Sequence, residues 1–493
     1  MAYDVVIVPE CETLRSTTLD RLEAFHENGG KLVFMGDAPK YEDAKPSARG
    51  KALFGKAHRV AFNRGALLEE LYEDRIVEIR EGNGALTNNL IHQIRRDETG
   101  RWLFISHCTE PYNKDIALKQ HLRISIQGLC KPQLWDTVTG EIKAIPYSHR
   151  GSQTCMELGL FDYDSALIFL EDSDEEAPAE APAAPALTEM ATALPDLVPY
   201  TISEPNVLLL DTARYAIDEE ELSSPDNILR VDSAIRRRLN LPGYKTQPWV
   251  MPAKPAEHTV TLEFTIHSEV DYATPSLGLE DAEISTITWN GEAVPSKAEG
   301  YYVDRSIQTV ALPPLKRGDN ILRVTLPYAE RSNCEAMYLL GEFGVRVVGK
   351  RLTVTTLPDA LGFSDLSAQG LPFYGGEVTY HLPVELTEDQ NTVIRIPHYI
   401  AAVNTVAVDG VKKAVVAYPP YDADLGLLQA GRHTVSVTAY ITRRNCFGNV
   451  HDADDQRSWL GPDCWFTSGS GWTYEYRLRP TGVISTPLLF KKD

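Results

Sequence analysis

The segment LKRGDN at residues 315–320, with the strand-like run ILRVTL at residues 321–326 directly after it, decides how most of this sequence is interpreted. A glycine-containing turn that leads into alternating apolar residues is typical of the start of a β-strand. Upstream, Trp289-Asn290-Gly291 contains the residue pair that favours a tight hairpin turn, and Tyr302-Val303-Asp304 follows it. Together these segments predict an antiparallel β-sandwich.

The same order of segments recurs further along the chain. Val408-Asp409-Gly410 forms a second turn motif, Pro420-Tyr421-Asp422 follows it, and LQAGRH at residues 428–433 precedes the strand-like run TVSV at residues 434–437. The spacing from turn to aspartate is similar in the two copies. An internal repeat of this kind predicts two similar β-sandwiches in tandem.

The N-terminal residues have a different pattern. YDVVIVP at residues 3–9 is a continuous β-branched run, typical of a strand that is buried on both faces of a parallel sheet. Apolar residues then recur at helical spacing up to Asn28-Gly29-Gly30, and KLVFMG at residues 31–36 is the next strand. This order predicts a small doubly wound α/β domain. Because its first strand follows Met1 so closely, the domain is either minimal or the tail of a longer polypeptide.

The sequence predicts a multidomain protein with α/β and all-β parts, since roughly 150 residues per domain gives about three domains. The expected parts are an α/β domain at 1–97, a small β-sandwich at 98–172, an acidic Ala/Pro linker at 173–199, and tandem β-sandwiches at 200–350 and 351–493. Most of the stretch EDSDEEAPAEAPAAPAL at residues 171–187 lies in this linker, and such a sequence cannot pack a core.

One helix is expected beyond the linker. Ser224-Pro225 offers an N-cap followed by a proline at the first helical position, and apolar residues recur on one side as far as Asn240.

The amino-acid composition and net charge limit the partners and the location that we expect for this protein. The 493 residues are 43% hydrophobic and 24% charged, with a net charge of −21, which disfavours nucleic acid and anionic membrane surfaces as partners. There is no long apolar run and no signal-peptide pattern at the N-terminus, so we expect a cytoplasmic protein. The seven cysteines are scattered and never form CxxC, which predicts reduced thiols rather than disulfides or a zinc ribbon.

The repeat resembles a known domain. The order "NG turn, aromatic-x-Asp, L-x-x-G-x-N before a strand" looks like the jelly-roll, galactose-binding-like domain of large glycoside hydrolases, including family 2 and the α-L-rhamnosidase-type enzymes. The second copy departs from it, with Asp409-Gly410 for the NG turn and His433 in place of the asparagine. Residues 1–40 resemble the amidotransferase-like domain of some of these enzymes, and residues 445–476 look like the tail of such large bacterial sugar hydrolases.

The resemblance implies a carbohydrate ligand and a missing catalytic part. Such enzymes place their catalytic carboxylates on a (β/α)₈ barrel of about 250 residues, and this sequence has no stretch of that pattern. We therefore expect a non-catalytic C-terminal portion of a glycoside hydrolase, whose partner is a catalytic barrel domain or subunit. One alternative is a stand-alone carbohydrate-binding or assembly protein that forms homo-oligomers through its α/β domain. Another is a glycosidase with a site between domains.

The stretch from residue 451 to 472 is richest in side chains that bind sugars. Aromatic rings pack on the C–H face of a sugar, and planar polar groups bind its hydroxyls. The candidate sugar-binding residues are His451, Asp454, Arg457, Trp459, Trp465 and Trp472. A β-sandwich core with a solvated acidic loop is the competing interpretation.

The sequence contains no specific motif for a catalytic residue, a metal site or a cofactor, and we predict none of them. Calcium is an option for Asp452, Asp454 and Asp455, although the residues of an EF-hand loop are not at the required positions. Cys11 follows the first strand, where a nucleophile would need a glycine elbow and a base. Its neighbours Glu10 and Glu12 would raise rather than lower the thiol pKa, so we do not predict a catalytic cysteine.

Overall fold

The computed structural model describes residues 3–111, 113, 117–176, 186–191, 194–242, 254–454 and 465–492. Its elements are mostly antiparallel β-strands, which confirms the β-rich fold that the sequence predicts. The chain divides into two compact units, residues 1–112 with 118–183 and residues 113–117 with 184–493. Each unit is described by itself below.

The elements of the first unit begin with short strands and three helices and continue as antiparallel strands. They are β1 (Val5–Val8), β2 (Thr13–Leu14), α1 (Ser16–Glu27), β3 (Lys31–Met35), β4 (Tyr41–Glu42), β5 (Lys45–Pro46), α2 (Arg49–Lys56), β6 (His58–Val60), α3 (Arg64–Glu70), β7 (Val77–Glu81), β8 (Leu90–Arg96), β9 (Arg101–His107), β10 (Lys119–Gln127), β11 (Cys130–Trp135), β12 (Ile142–Ala144), β13 (Tyr147–Arg150), β14 (Gln153–Phe161) and β15 (Ser165–Asp172).

The sheets of this unit surround two hydrophobic cores, and a small further sheet has the order β2-β4-β5. Strands β1, β3 and β6 pair in parallel, and Leu19, Leu32 and Phe34 lie in the core beside them. The complete doubly wound domain of the sequence interpretation stays a prediction. The later strands form the sheets β13-β14-β10-β7 and β12-β11-β15-β9-β8 around a second core. Two of these strands, β7 and β8, come before residue 98, where the sequence analysis places a domain boundary.

The elements of the second unit are nearly all strands. They are β16 (Leu187–Glu189), β17 (Leu197–Val198), β18 (Tyr200–Ile202), β19 (Asn206–Leu210), β20 (Thr212–Ile217), β21 (Asp226–Asn227), α4 (Ile228–Arg238), β22 (His258–Ser268), β23 (Ser276–Leu279), β24 (Thr286–Trp289), β25 (Glu292–Val294), β26 (Gly300–Tyr302), β27 (Asp304–Ala311), β28 (Gly318–Tyr328), β29 (Met337–Gly341), β30 (Gly344–Val348), β31 (Arg351–Thr355), β32 (Leu361–Gly362), β33 (Glu377–Leu386), β34 (Gln390–Arg395), β35 (Tyr399–Ile400), β36 (Val403–Val408), β37 (Val411–Val416), β38 (Asp422–Leu428), β39 (Gly431–Tyr440), α5 (Arg444–Phe447), β40 (Gly482–Val483) and β41 (Leu488–Lys492).

Two similar sandwiches make up the second unit. In the first, a sheet with the order β20-β22-β28-β24-β25 faces the sheet β19-β29-β23-β27-β26 across one hydrophobic core. In the second, β18-β33-β39-β36-β37 faces β16-β41-β34-β38 across another core. The neighbours β22-β28-β24-β25 and β33-β39-β36-β37 follow the same connection order. Residues 177–185 and 192–193 of the predicted linker lie outside the described residues, whereas β16 and β17 within it pair with β41 and β32.

The turns of the repeat are built in the same way. In the first copy Asn290 has φ 53°, and its Oδ1 accepts a 2.7 Å hydrogen bond from the backbone N–H of Ile321. In the second copy Asp409 has φ 49°, and its Oδ1 accepts a 2.8 Å bond from the N–H of Thr434. Asn320 and His433 contact these turn residues at equivalent positions. The sequence motif therefore marks one turn that joins a hairpin to the next long strand.

Replacing Asn290 with alanine should destabilise the first sandwich by about 1–2 kcal/mol. Alanine is disfavoured at a positive φ, and the hydrogen bond to Ile321 would be lost. Chemical denaturation measures the change. Asn290→Asp is the matched control, because Asp409 already occupies the equivalent turn, and it should cost less than half as much. Equal losses in the two variants would contradict this role of the turn.

Helix α4 of this unit starts later than the sequence predicts. Asn227, rather than Ser224-Pro225, is the N-cap of α4, and its Oδ1 accepts a 3.1 Å bond from the N–H of Leu229. Residues Asp226 and Asn227 instead pair with β20 as strand β21, which ends the extended segment at the cap. The helix ends at Arg238, two residues before the predicted end at Asn240.

Two further features of the described residues concern membrane-spanning helices and the Cys11 thiol. No helix in the described ranges is long and apolar enough to cross a membrane. Burial raises the pKa of the Cys11 thiol, the direction opposite to nucleophile activation.

Candidate functional site

His451 lies in a buried polar cluster of the second unit. Its Nε2 is 2.8 Å from Oδ2 of Asp211, which follows β19, and both side chains are about 5% exposed. The other oxygen of Asp211 accepts a 2.6 Å bond from the hydroxyl of Tyr476. Burial and then the charge of Asp211 raise the pKa of Tyr476, so its hydroxyl stays a donor at neutral pH. The carboxylate is therefore held by two donors.

The residues of this cluster are positioned by two chain segments that lie side by side. The N–H of Arg477 donates to the carbonyl of Val450 at 2.7 Å, and the N–H of Thr473 donates to the carbonyl of His451 at 3.0 Å. Asp452 and Trp472 form an antiparallel bridge between the same segments. These bonds fix the segment after α5 against residues 472–480, so their side chains are presented on a rigid backbone.

Trp472 is packed rather than fully open. The guanidinium of Arg230 lies 4.8 Å from its ring centroid, and the ring of Tyr474 meets it edge-on at 4.2 Å. Asp226 and the carbonyl of Thr467 hold Arg230 in place through bonds of 2.7–3.0 Å. One ring face of Trp472 is thus covered by a cation, while Tyr474 is 45% exposed. Tyr474 is the aromatic ring of this group that a ligand reaches most easily.

A small cavity of about 100 Å³ lies beside His451. Asp211, Glu335, His451, Trp465 and Trp472 are among its lining residues. Ligand-binding cavities are usually about 300–1,000 Å³, so this space fits a substituent or a few waters rather than a whole sugar. It can anchor one polar group of a larger ligand.

A larger groove of about 870 Å³ opens on the other side of Asp211, which lines both spaces. The groove follows a gap in the sheet. Along β22, the pairing with β20 stops at Glu263. The pairing with β31 involves only Ser268 of β22. Between these points, residues 264–267 have strand partners only on the β28 side among the described strands. Backbone polar groups on the open side of β22 are therefore available to a ligand.

Polar side chains and one exposed ring surround the groove. Glu263 is 5% exposed and accepts bonds of 2.9 Å from Arg214 and 2.6 Å from Arg323, so its charge is compensated. The rim also carries an exposed pair, His267 with Asp319. The groove is lined further by Lys350, Arg351, Tyr474 and Tyr476. An aromatic ring beside hydrogen-bonding groups suits an uncharged polyhydroxylated ligand.

The structure brings together three of the residues predicted from sequence. His451, Trp465 and Trp472 line the small cavity. Asp454 is on the same segment, and its N–H donates to Asp452 at 3.2 Å. Arg457 and Trp459 lie outside the described residues, as does Asp455 of the calcium option. Within the described ranges, no group of three or more His, Cys, Asp or Glu could hold a metal ion. A sugar contact at these positions stays a prediction.

Several residues that line these two spaces are not among those predicted from the sequence. Asp211 and Glu335 are far from residues 451–472 in sequence, and only the sandwich brings them close. Tyr474 and Tyr476 could have been found, because they follow Trp472 at alternate positions in the sequence, and a pattern of alternate aromatic residues indicates side chains on one face.

Glu335 should make stability fall as pH rises. Burial first, and then Glu280, raises its pKa from 4.5 to about 7. The folded state therefore holds this proton more tightly, so the group's favourable contribution is complete below about pH 4.5 and is lost as pH rises through 7. The difference approaches about 3 kcal/mol. Glu335→Gln should remove this fall, measured by denaturation from pH 4.5 to 8. Parallel pH curves for wild type and variant would contradict the assignment.

The fold and these spaces define a β-sandwich protein with an open polar groove. No protein-family model matches the sequence, and no curated protein matches it either. Among solved structures, the chain is similar to a rhamnosidase from Novosphingobium sp. PP1Y, with 13% identity and a TM-score of 0.43, over 97% of this chain and 33% of that chain. This chain thus spans about a third of the rhamnosidase.

Two further solved structures are similar over shorter stretches. An exo-carrageenase GH42 from Bacteroides ovatus shares 12% identity over 34% of this chain and 22% of that chain, with a TM-score of 0.24. A GH2 β-galacturonidase from Eisenbergiella tayi shares 9% identity over 49% and 37%, with a TM-score of 0.18. Similarity at these values establishes neither a family nor an activity for this chain.

Proposed function

We propose that this chain is a carbohydrate-binding, non-catalytic portion of a multidomain glycoside hydrolase. Its groove holds a glycan beside a catalytic barrel domain or subunit and helps to shape the substrate cleft. The tandem sandwiches are then galactose-binding-like domains, and the N-terminal parallel strands belong to an amidotransferase-like domain.

The groove is the observation that carries this proposal. A space of about 870 Å³ is large enough for a short oligosaccharide and combines the exposed ring of Tyr474 with backbone and side-chain hydrogen-bonding groups. The carboxylates at its wall are engaged: Glu263 by two arginines and Asp211 by His451 and Tyr476. Groups held in this way suit binding better than proton transfer. A stand-alone carbohydrate-binding or assembly protein would use the same groove.

The experiment is an assay of glycan binding and of aryl-glycoside hydrolysis on one purified sample, with rhamnosides and galactosides in the panel. Saturable binding without turnover supports the proposal. Turnover that disappears on mutation of one carboxylate contradicts it. Binding that needs no partner enzyme and is unchanged by one would favour the stand-alone alternative.

A glycosidase is the second candidate, and Glu335 favours it. A carboxyl group with a pKa of about 7 in a cavity beside His451 and two tryptophans is suited to act as a general acid. Glu280 is near enough for its charge to raise that pKa. If this candidate is correct, Glu335→Gln abolishes hydrolysis but leaves glycan binding intact.

A further inference from the structure

A second open space, of about 640 Å³, lies beside the groove of the second unit and is called the groove extension below. Its lining residues are His267, Ser268, Glu269, Val270, Arg317, Gly318, Thr355 and Thr356. His267 also lines the groove, so the two spaces meet at this residue.

The groove and the groove extension follow the same strands. Along β22 and just beyond it, residues 263–267 line the groove and residues 267–270 line the extension. Along β31 and just beyond it, residues 351–352 line the groove and residues 355–356 line the extension. Because β31 is parallel to β22, both strands lead from the groove to the extension in the same direction.

The strand on the other side of β22 agrees with this direction. β28 is antiparallel to β22, and Asp319 lines the groove whereas Gly318, which precedes it, lines the extension. The two spaces therefore lie end to end along β22, and together they are called the channel below. From Glu263 to Ser268 the strand extends about 17 Å, at about 3.3 Å per residue. Since each space alone has the volume of a site for a whole small ligand, the channel is long enough for several sugar rings.

Backbone groups in the middle of the channel are open to a ligand. The carbonyl of Thr259 accepts a bond from Asp218 on the β20 side of β22, and the N–H of Glu269 donates to Val354 on the β31 side. Alternate residues of a strand direct their backbone groups to the same edge, so those of Thr265 also face this edge. Thr265 is exposed and has no strand partner there among the described strands. Its N–H and C=O can therefore bind hydroxyl groups of a ligand.

His267 is held in place where the two spaces meet. Its Nδ1 is 2.8 Å from Oδ1 of Asp319, and its side chain is half exposed. In the part of the chain that the structure describes, the hydrogen bond of this ring involves Nδ1, which leaves Nε2 for a ligand. An imidazole that is fixed through one nitrogen offers the other to a sugar hydroxyl in a defined position.

The carboxylates that line the channel are engaged by protein groups. Glu269 accepts a 3.2 Å bond from Arg346, and hydrogen bonding to this arginine is the main reason why the pKa of Glu269 is lowered. Asp319 is bonded to His267, and the two carboxylates of the groove wall are held as described above. An uncharged, polyhydroxylated chain therefore fits this surface better than a cationic one.

We propose that the channel binds a linear, neutral oligosaccharide chain along β22 rather than a single terminal sugar. One part of the chain contacts Tyr474 in the groove. The next part binds the backbone of Thr265 and the imidazole of His267, and the far part accepts a hydrogen bond from Arg317 in the extension. This inference rests on the proposed function and adds the length of the ligand to it.

Titration calorimetry on the full chain tests the proposal with the disaccharide, tetrasaccharide and hexasaccharide of neutral galacto-, manno- and cello-oligosaccharides. In the series that binds, the hexasaccharide should bind at least about 10-fold more tightly than the disaccharide, because it also reaches the extension. Arg317→Ala should weaken hexasaccharide binding by about 10-fold, because a hydrogen bond from a charged donor is lost. The same variant should leave disaccharide binding in the groove unchanged within about twofold.

Two further variants accompany this measurement. His267→Ala should weaken binding of the hexasaccharide and the tetrasaccharide, because both cross the junction of the two spaces. Arg305→Ala is the matched control for Arg317→Ala, since Arg305 is an exposed arginine of β27 that lines neither space, and it should bind every length as the wild type does. Circular dichroism confirms that each variant is folded.

Other results would overturn the inference. Equal affinity for the disaccharide and the hexasaccharide contradicts it, and so does a gain with length that survives both Arg317→Ala and His267→Ala. Failure here is distinguishable from failure of the proposed function. Disaccharide binding that depends on Tyr474 but does not strengthen with length overturns this inference alone, whereas the absence of saturable binding at every length overturns both.

Discussion

Replacing Asp232 with alanine should lower the free energy of unfolding of the first sandwich by about 3–5 kcal/mol. Asp232 is fully buried on α4 and accepts bonds of 2.8 Å from Arg236, 2.6 Å from Tyr328 and 2.9 Å from the N–H of Cys334. Arg236 is itself buried, so the variant leaves an uncompensated charge inside the protein. Breaking a buried ion pair costs this much because the remaining ion stays desolvated.

Chemical denaturation followed by circular dichroism measures the loss. Glu220→Ala is the control, because it breaks an ion pair with Arg238 in which both side chains are nearly half exposed, and surface pairs contribute less than about 1 kcal/mol. If Asp232→Ala lowers the free energy of unfolding by less than about 1 kcal/mol, the hydrogen bonds of Asp232 with Arg236 and Tyr328 do not join α4 to the sheet as we expect.

Replacing Tyr474 with alanine should weaken binding of neutral oligosaccharides by about 10- to 100-fold. The ring is 45% exposed at the groove, and its edge-on contact with Trp472 fixes its orientation. Loss of an aromatic contact at the centre of an interface typically has an effect of this size. Tyr474→Phe keeps the ring and loses only the 3.2 Å bond to Asp226, so it should bind nearly as the wild type does.

Tyr418 provides the matched control for that experiment. It is an exposed tyrosine of the second sandwich, with 55% of its surface accessible, and it does not line the groove. Tyr418→Ala should leave the affinity unchanged within about twofold. If Tyr418→Ala and Tyr474→Ala weaken binding equally, the groove is not the glycan site.

The sequence predicted the parts of the fold that depend on local chemistry. The pair Asn290-Gly291 and its counterpart Asp409-Gly410 identify turns at positive φ, and each leads into the expected hairpin. The predicted start of α4 was wrong by a few residues. Ser224-Pro225 resembles a helix cap, but a short strand pair follows it, and Asn227 caps the helix instead.

The site was less predictable than the turns. The aromatic and charged composition of residues 451–472 predicts a sugar contact that stays a prediction, and three of the predicted residues, His451, Trp465 and Trp472, share a cavity. The partners of that region are Asp211, which follows β19, and Glu335, which lies between β28 and β29, and only long-range sheet pairing brings them there. The gap in the sheet beside residues 264–267 depends on where two strand pairings end, which a single sequence does not specify.

Hydrogen–deuterium exchange of the full chain, with and without a saturating neutral oligosaccharide, tests the central claim most directly. The account predicts slower exchange in residues 264–267 and at Tyr474 and Tyr476, which line the groove, and no change in β34 and β38 of the second sandwich. Protection confined to the second sandwich, or no protection at saturation, would contradict glycan binding in the groove.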